Sequence, residues 1–182
     1  VGDFNSLYPN SIIARNMSHD TLVCPGSEYW DDDAHEPDYN RIKQDNFKLV
    51  YSFNDPNKPG VYDTKPGVVY TPGNEETRVY FIKQSCPEDL NNNELRGIIP
   101  MLMNELIQYR KKVRKIQARF KKGTSEWNIY ESQQLAAKIL CNSQYGILGA
   151  STSKIYNKKL AACTTAVGRS MICAAKGYVE SV

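Results

Sequence analysis

The sequence predicts an α+β fold. Three features point there: a short opening strand that turns into a helix, β-favouring islands scattered through the first half, and two long helical segments joined by a tight glycine link. With 182 residues and 41% hydrophobic content, the chain fits one ordinary domain or two small ones and can bury a sizeable core. Wholesale disorder is thereby excluded.

Val1 to Phe4 reads as a buried strand running into a helix expected over roughly Tyr8 to Asn16, with Pro9 in its first turn, where no backbone donor is needed. From His19 to about Cys86, Pro-Gly and Asn/Asp-rich turn signals surround β-favouring islands at Phe47 to Phe53, Gly67 to Thr71 and Arg78 to Ile82. This predicts an irregular region with a hairpin across Thr71-Pro72-Gly73-Asn74. Helical segments then follow from about Pro100 to Lys121 and from about Ser125 to Tyr145, linked by Lys122-Gly123-Thr124. The short link predicts an antiparallel helical hairpin. At 1.5 Å per residue each arm is about 30 Å long, enough to project as a lever. The last stretch, about Lys159 to Val182, is a helix rich in small residues (Ala161, Ala162, Ala166, Gly168, Ala174, Ala175), suited to close packing on a sheet.

Lys and Arg number 23 against 20 Asp and Glu, so the net charge is only +3 and any nucleic-acid surface must come from local clustering. The five cysteines (Cys24, Cys86, Cys141, Cys163, Cys173) are widely spaced and contain no CxxC pair. That pattern argues against a disulfide framework or a zinc site and predicts reduced thiols in an intracellular compartment. No run of about 18 apolar residues and no signal-peptide order are present, so no membrane partner is expected. The chain starts inside a strand pattern without Met and ends in a helical pattern without a stop signal. It is expected to be a piece of a longer protein.

Asp3 is placed at the end of a strand, just before a turn into a helix N-terminus. Such a turn offers free N–H groups and a positive dipole end to a phosphate. A carboxylate beside a phosphate calls for a divalent cation between them, and Mg²⁺ is the usual bridge. Asp3 thus fits a metal ligand, or else a helix or turn cap. Tyr8 by itself fits an aromatic packed on the core.

Lys138, Asn142 and Tyr145 lie at i, i+4 and i+7, along one polar and aromatic face. In the partner arm Arg110 and Arg114 are also i, i+4, amid Lys111, Lys112, Lys115, Arg119, Lys121 and Lys122. The lysines fit a solvated face. Arg110, Arg114 and Lys138 are expected at one end of a common groove, where three cations would hold a triphosphate. Gly146 and Gly149 would let the backbone approach a bound base pair, or simply end the helix.

The run Asp3-Phe4-Asn5-Ser6-Leu7-Tyr8-Pro9 resembles the first palm motif of B-family DNA polymerases, D-x-x-S-L-Y-P. Lys138-Ile139-Leu140-Cys141-Asn142-Ser143-Gln144-Tyr145-Gly146 resembles their fingers motif, K-x-x-x-N-S-x-Y-G, and Gly97-Ile98-Ile99-Pro100 followed by Arg110 resembles the start of the first fingers helix. Cys24 to Cys86 carries no such likeness.

The resemblance implies a partial palm of strand plus helices with an inserted helical-hairpin fingers subdomain and an irregular β-containing insertion. Residues 1–90 would be the first palm segment with that insertion, 91–150 the fingers, and 151–182 a returning palm segment that stops before the second metal motif. Asp3 would bind two Mg²⁺ ions, one of them shared with the Phe4 carbonyl. The N–H groups of Ser6 and Leu7 would hold triphosphate oxygens, and Tyr8 would leave no room for a ribose 2′-hydroxyl. Arg110, Arg114 and Lys138 would grip the triphosphate, with Lys138 also the catalytic donor to the leaving pyrophosphate. Asn142 would contact the nucleotide; Tyr145, Gly146 and Gly149 would line the nascent base pair and template.

Arg114 departs from the family's more frequent Lys, and Asn10-Ser11 after Pro9 is a variation associated with polymerases of large DNA viruses. The second metal motif, Y-G-D-T-D-S, does not occur. Asp31-Asp32-Asp33, the only acidic triplet, sits in a turn-rich stretch and is expected to be a solvated loop.

The implied activity is DNA-directed DNA synthesis: deoxynucleotides added to a primer 3′ end by two-metal phosphoryl transfer, with the piece alone inactive. Its partners would be primer–template DNA, dNTP and a processivity factor, at the site of replication in the nucleus or in a viral replication site of the host cytoplasm. The alternatives are a non-catalytic nucleic-acid-binding hairpin and a hairpin interaction module.

Overall fold

Alternation along one strand organises the molecule. In the computed structural model, which describes residues 6–45, 47–53, 62–70, 77–84 and 97–180, this strand is β8 (Thr77–Gln84). Val79 and Phe81 enter one core cluster and Tyr80 and Ile82 pack on another, as the period-two pleat requires. Three shorter strands pair antiparallel with β8: β1 (Leu22–Val23), β4 (Phe47–Leu49) and β7 (Val68–Tyr70). Two further antiparallel pairs join β2 (Trp30–Asp31) to β3 (Glu36–Pro37) and β5 (Tyr51–Phe53) to β6 (Tyr62–Pro66).

The arms of the predicted hairpin are present, with Tyr70 opposite Thr77; its turn, Thr71 to Asn74, lies outside the described residues. The island from Phe47 to Phe53 forms two strands instead of one. At Val50 the chain changes partners: its N–H donates to the Phe81 carbonyl (3.0 Å), while its carbonyl accepts from Gly67 N–H (2.7 Å). Gly67 has φ 103°, and a Cβ there would meet Arg78 Cγ at 2.8 Å, so the crossing requires glycine.

The described helices are α1 (Leu7–Ala14), α2 (Tyr39–Gln44), α3 (Ile98–Gln117), α4 (Ser125–Gly149) and α5 (Lys158–Glu180). The chain is therefore α+β, with small sheets set against helices. The main core joins Val79, Phe81, Val50 and Val68 to Ile12 and Met17 at α1, Met103 of α3, Leu148 of α4, and Leu160, Cys163 and Val167 of α5. Each such large apolar side chain stabilises the fold by about 1.5–3 kcal/mol when fully buried. The second cluster, under the other face of β8, holds Val23, Ile42 and Leu49 with Tyr29, Trp30 and Phe47 around them.

α1 stops at Ala14, short of the predicted Asn16, because Asn16 takes a left-handed φ of 50° and Met17 N–H turns back to the Ile12 carbonyl at 3.0 Å. The hairpin link carries Gly123 at φ 90°, and the Thr124 hydroxyl caps α4 by accepting from Trp127 N–H at 3.3 Å. α3 ends at Gln117, earlier than Lys121, where tighter turns (Arg119 N–H to Ile116, Phe120 N–H to Gln117) bring Phe120 onto the Tyr130 ring at 5.5 Å. The Gln117 amide donates to Glu131 at 2.6 Å, fixing the arms antiparallel.

α4 runs four residues past the predicted Tyr145 and takes Gly146 and Gly149 into the helix. Glycine there costs about 1 kcal/mol each. Burial of Leu148 (1% exposed) offsets much of that penalty. The small residues of α5 allow the expected close packing, on β7, β5 and also α1: a Cβ at Gly168 would lie 3.4 Å from Leu7 Cδ2. Among the described residues the four cysteines are free thiols, and no helix is long and apolar enough to cross a membrane.

Candidate active site

The site is built from the start of α1 outward. Ser6 precedes the helix with φ 53° and ψ 48°, a left-handed conformation that costs a non-glycine residue about 1–2 kcal/mol, and its hydroxyl makes no capping bond. Strain of this kind collects where a backbone is held for a ligand. The first turn of α1 contains no acidic residue, so its leading N–H groups and positive dipole end are not neutralised from within the helix. An anion is the chemically matched occupant. Asp3 and Phe4, expected beside this turn, lie outside the described residues.

Tyr8 is 38% exposed, and its ring stacks on Tyr145 of α4 with centroids 4.5 Å apart and planes 23° from parallel. The ring's Cε1 also lies 3.8 Å from the Cβ position of Gly168. α5 therefore touches the edge of the Tyr8 ring and α4 stacks on it, which joins the two ends of the sequence pattern in one aromatic pair. Gly146, next to Tyr145, has nothing within 4 Å of its Cβ position and leaves that side of α4 open; Gly149 makes an ordinary contact with Ala161 at 3.7 Å.

Arg110 points across the hairpin. Its Nε donates to Gln134 Oε1 at 3.1 Å, using one donor of the guanidinium fork. Gln134 in turn donates to Glu131 at 3.0 Å, so a polar chain ties Arg110 to the Gln117–Glu131 contact. Burial pushes the Cys141 thiol pKa up, and the nearby Arg110 charge pulls it back. Gln134 and Cys141 flank Lys138 on α4, so Arg110 sits against the turns that carry Lys138. Lys138 and Asn142 are exposed.

Arg114 is exposed on α3 beside Lys111, Lys115 and Ala118, while Arg110 engages α4.

Asp31 forms a turn: its Oδ1 accepts from Asp33 and Ala34 N–H at 3.0 Å, and all three aspartates are exposed. Among the described residues no group of three or more His, Cys, Asp or Glu is placed to hold a metal.

Sequence reasoning missed the residues that hold the base of α3. The Asn16 amide donates to the Ile82 carbonyl at 2.7 Å and its oxygen accepts from Gly97 N–H at 2.8 Å. Both Asp20 carboxylate oxygens accept from Ile98 N–H at 3.3 Å, and Ser18 Oγ accepts from Ile99 N–H at 3.3 Å. These side chains satisfy the orphan donors of a helix some 80 positions downstream. Gly97 fits beneath them with room for nothing more, since its Cβ position is 2.5 Å from Ser18 Cβ and 2.9 Å from Thr21 Cγ2.

Comparison with known proteins identifies the family. The family model described as DNA polymerase family B matches residues 1–182, the whole chain. The DNA polymerase of Phaeocystis pouchetii virus is 29% identical over 98% of the chain, that of Paramecium bursaria Chlorella virus NY2A 33% over 93%, and the DNA polymerase delta catalytic subunit of Plasmodium falciparum 29% over 98%. The chain spans between 13% and 17% of the length of these relatives. The family B DNA polymerase structure from Pyrobaculum calidifontis superposes on 99% of the chain and 18% of its own, with a TM-score of 0.61 and 23% identity, a likeness of fold. The chain belongs to DNA polymerase family B.

Proposed function

We propose that the chain is the nucleotide-binding part of a DNA-directed DNA polymerase that adds deoxynucleotides to a primer 3′ end on a DNA template. In this assignment residues 1–90 are the first palm segment with its insertion, 91–150 the fingers, and 151–182 the returning palm segment. The observation that carries it is the stack of Tyr8 on Tyr145, which puts a ring at the start of α1 against the face of α4 that also bears Lys138 and Asn142.

Each residue then has a physical task. The N–H groups of Ser6 and Leu7 hold triphosphate oxygens at the uncapped start of α1. Arg110, Lys138 and Arg114 supply positive charge to the phosphates, and Lys138 gives a proton to the departing pyrophosphate. The Tyr8 ring, held by its stack on Tyr145, closes the space a 2′-hydroxyl would need, so deoxynucleotides are selected by a clash. Asn142 contacts the nucleotide, while Tyr145, Gly146 and Gly149 line the new base pair; the open space at Gly146 supports that role.

The Asp3 carboxylate and Phe4 carbonyl are oxygen donors of the kind Mg²⁺ prefers, and bound Mg²⁺ supplies charge neutralisation at the transferring phosphoryl group. Two ions need more than one carboxylate, so Asp3 would share them with a further carboxylate. Primer–template DNA and dNTP are the proposed substrates, a processivity factor a partner of the longer protein, and the site of replication its location.

In the full-length polymerase, Lys138→Ala is expected to lower turnover by about 10²–10³, the size found for removing one donor to developing charge, and to leave DNA affinity nearly unchanged. Equal losses in turnover and DNA binding would instead favour a non-catalytic nucleic-acid binder. The 182-residue chain, in which the motif Y-G-D-T-D-S does not occur, is expected to be inactive alone, and primer extension by it would contradict that expectation.

A further inference from the structure

Glycine in the interior of a helix is disfavoured, so a buried one needs a reason. Gly168 is buried midway along α5 (Lys158–Glu180), without the positive φ that calls for glycine elsewhere in the chain. Its reason is therefore space. A Cβ there would lie 3.4 Å from Leu7 Cδ2, 3.7 Å from Leu7 Cγ and 3.8 Å from Tyr8 Cε1, all on the first turn of α1. One turn further on, Ser11 Oγ lies 3.8 Å from Met171 Sδ and Ile12 is fully buried. The body of α1 is thus held in the core while its first turn rests on Gly168.

We infer that Gly168 is a specificity-determining position, which by letting α1 approach α5 sets the depth of the Tyr8 ring and, through that ring, the rejection of ribonucleotides. The inference rests on the proposed role of Tyr8 in sugar selection. Two contacts divide the work. The stack on Tyr145, with centroids 4.5 Å apart, fixes the plane of the ring, but stacked rings slide past one another at little cost because offset arrangements are favourable. The edge contact with α5 stops that slide in one direction. Depth decides a clash, because repulsion rises steeply inside van der Waals contact. A methyl group at position 168 makes ordinary contacts at the distances above. Val adds two γ carbons about 1.5 Å further out, held in one strongly preferred rotamer in a helix, where contacts need about 3.5 Å. With the body of α1 anchored, its first turn and the Tyr8 ring give way.

The test uses the full-length polymerase and single-nucleotide incorporation, with kcat/KM measured for a dNTP and for the matching ribonucleotide. Gly168→Ala should keep the parent's ratio of the two within about twofold, because its methyl fits. Gly168→Val should lower the ratio by about 10- to 100-fold, the scale of a misplacement of about 1 Å, chiefly by admitting the ribonucleotide. Tyr8→Ala should lower it as well. Tyr8→Ala/Gly168→Val should then discriminate no less than Tyr8→Ala alone, since a residue that acts through the ring has nothing to add once the ring is gone. A parental ratio in Gly168→Val, with both substrates slowed alike, would overturn the inference by leaving Gly168 a purely structural role. So would a double variant that discriminates less than Tyr8→Ala. A parental ratio in Tyr8→Ala itself is a different failure: the sugar-selection reading of Tyr8 falls, and the inference with it. Thermal melts show whether Gly168→Val is folded at the assay temperature. Where it is not, Gly168→Ser, with a single γ atom, decides by the same ratio: a fall supports the inference and parental discrimination overturns it.

Discussion

Adding one methyl group at Gly97 tests how closely the base of α3 is fitted. Its backbone angles, φ −57° and ψ 151°, suit any residue, so the expected damage comes from crowding and not from backbone strain. The new Cβ would lie 2.5 Å from Ser18 Cβ, an atom that moves only with its backbone, and 2.9 Å from Thr21 Cγ2. Restoring a carbon–carbon separation of about 3.5 Å demands a shift near 1 Å. That shift stretches the 2.8 Å bond from Gly97 N–H to Asn16 beyond bonding range and strands a buried donor. Overpacking costs about 1–3 kcal/mol and the broken bond about 1–3. Because one movement relieves the first by causing the second, Gly97→Ala should destabilise by about 2–4 kcal/mol. Urea unfolding of the chain followed by circular dichroism reads this as a lower midpoint at constant slope. Gly146→Ala is the matched control: with nothing within 4 Å and a helical backbone, it should raise stability by about 0.5–1 kcal/mol. An unchanged midpoint for Gly97→Ala, or a fall for both variants, would refute the close-fit argument.

Four other outcomes are expected. In the full-length polymerase Gly146→Ala should slow nucleotide incorporation even as it stabilises the chain, because the methyl fills the side of α4 proposed to face the base pair; unimpaired incorporation would remove Gly146 from the site. Tyr145→Ala should cost the stack about 0.5–1.5 kcal/mol of stability, and in the full-length enzyme Tyr8→Ala, but not Tyr8→Phe, should raise ribonucleotide incorporation; equal discrimination by all three would remove the ring from sugar selection. Burial pushes the Cys163 thiol pKa up to about 12 against a smaller pull from Lys159, so its stabilising effect is full below the ordinary thiol value of 9.0 and lost as pH rises toward about 12. A thiol reagent at pH 9 should therefore modify exposed Cys173 at once and Cys163 only on unfolding, and rapid labelling of Cys163 in the folded chain would contradict its burial.

What the sequence revealed followed from local chemistry. Gly123 and Thr124 mark the hairpin link because a left-handed turn and a helix cap each need particular residues. Lys138, Asn142 and Tyr145 share a face because helical spacing puts them there. The break at Val50 was hidden, since Phe47 to Phe53 has one β-favouring texture and the change of partner depends on the distant Phe81 and Gly67. The same limit hid Asn16, Ser18 and Asp20, whose partners lie about 80 residues away and leave no local pattern.

Asn16 also acts as a clasp. One side chain holds the Ile82 carbonyl of β8 and the Gly97 amide at the foot of α3, so the sheet and the first long arm are pinned to the same residue. Because a single amide serves both partners, its loss would free the arm from the sheet in one step.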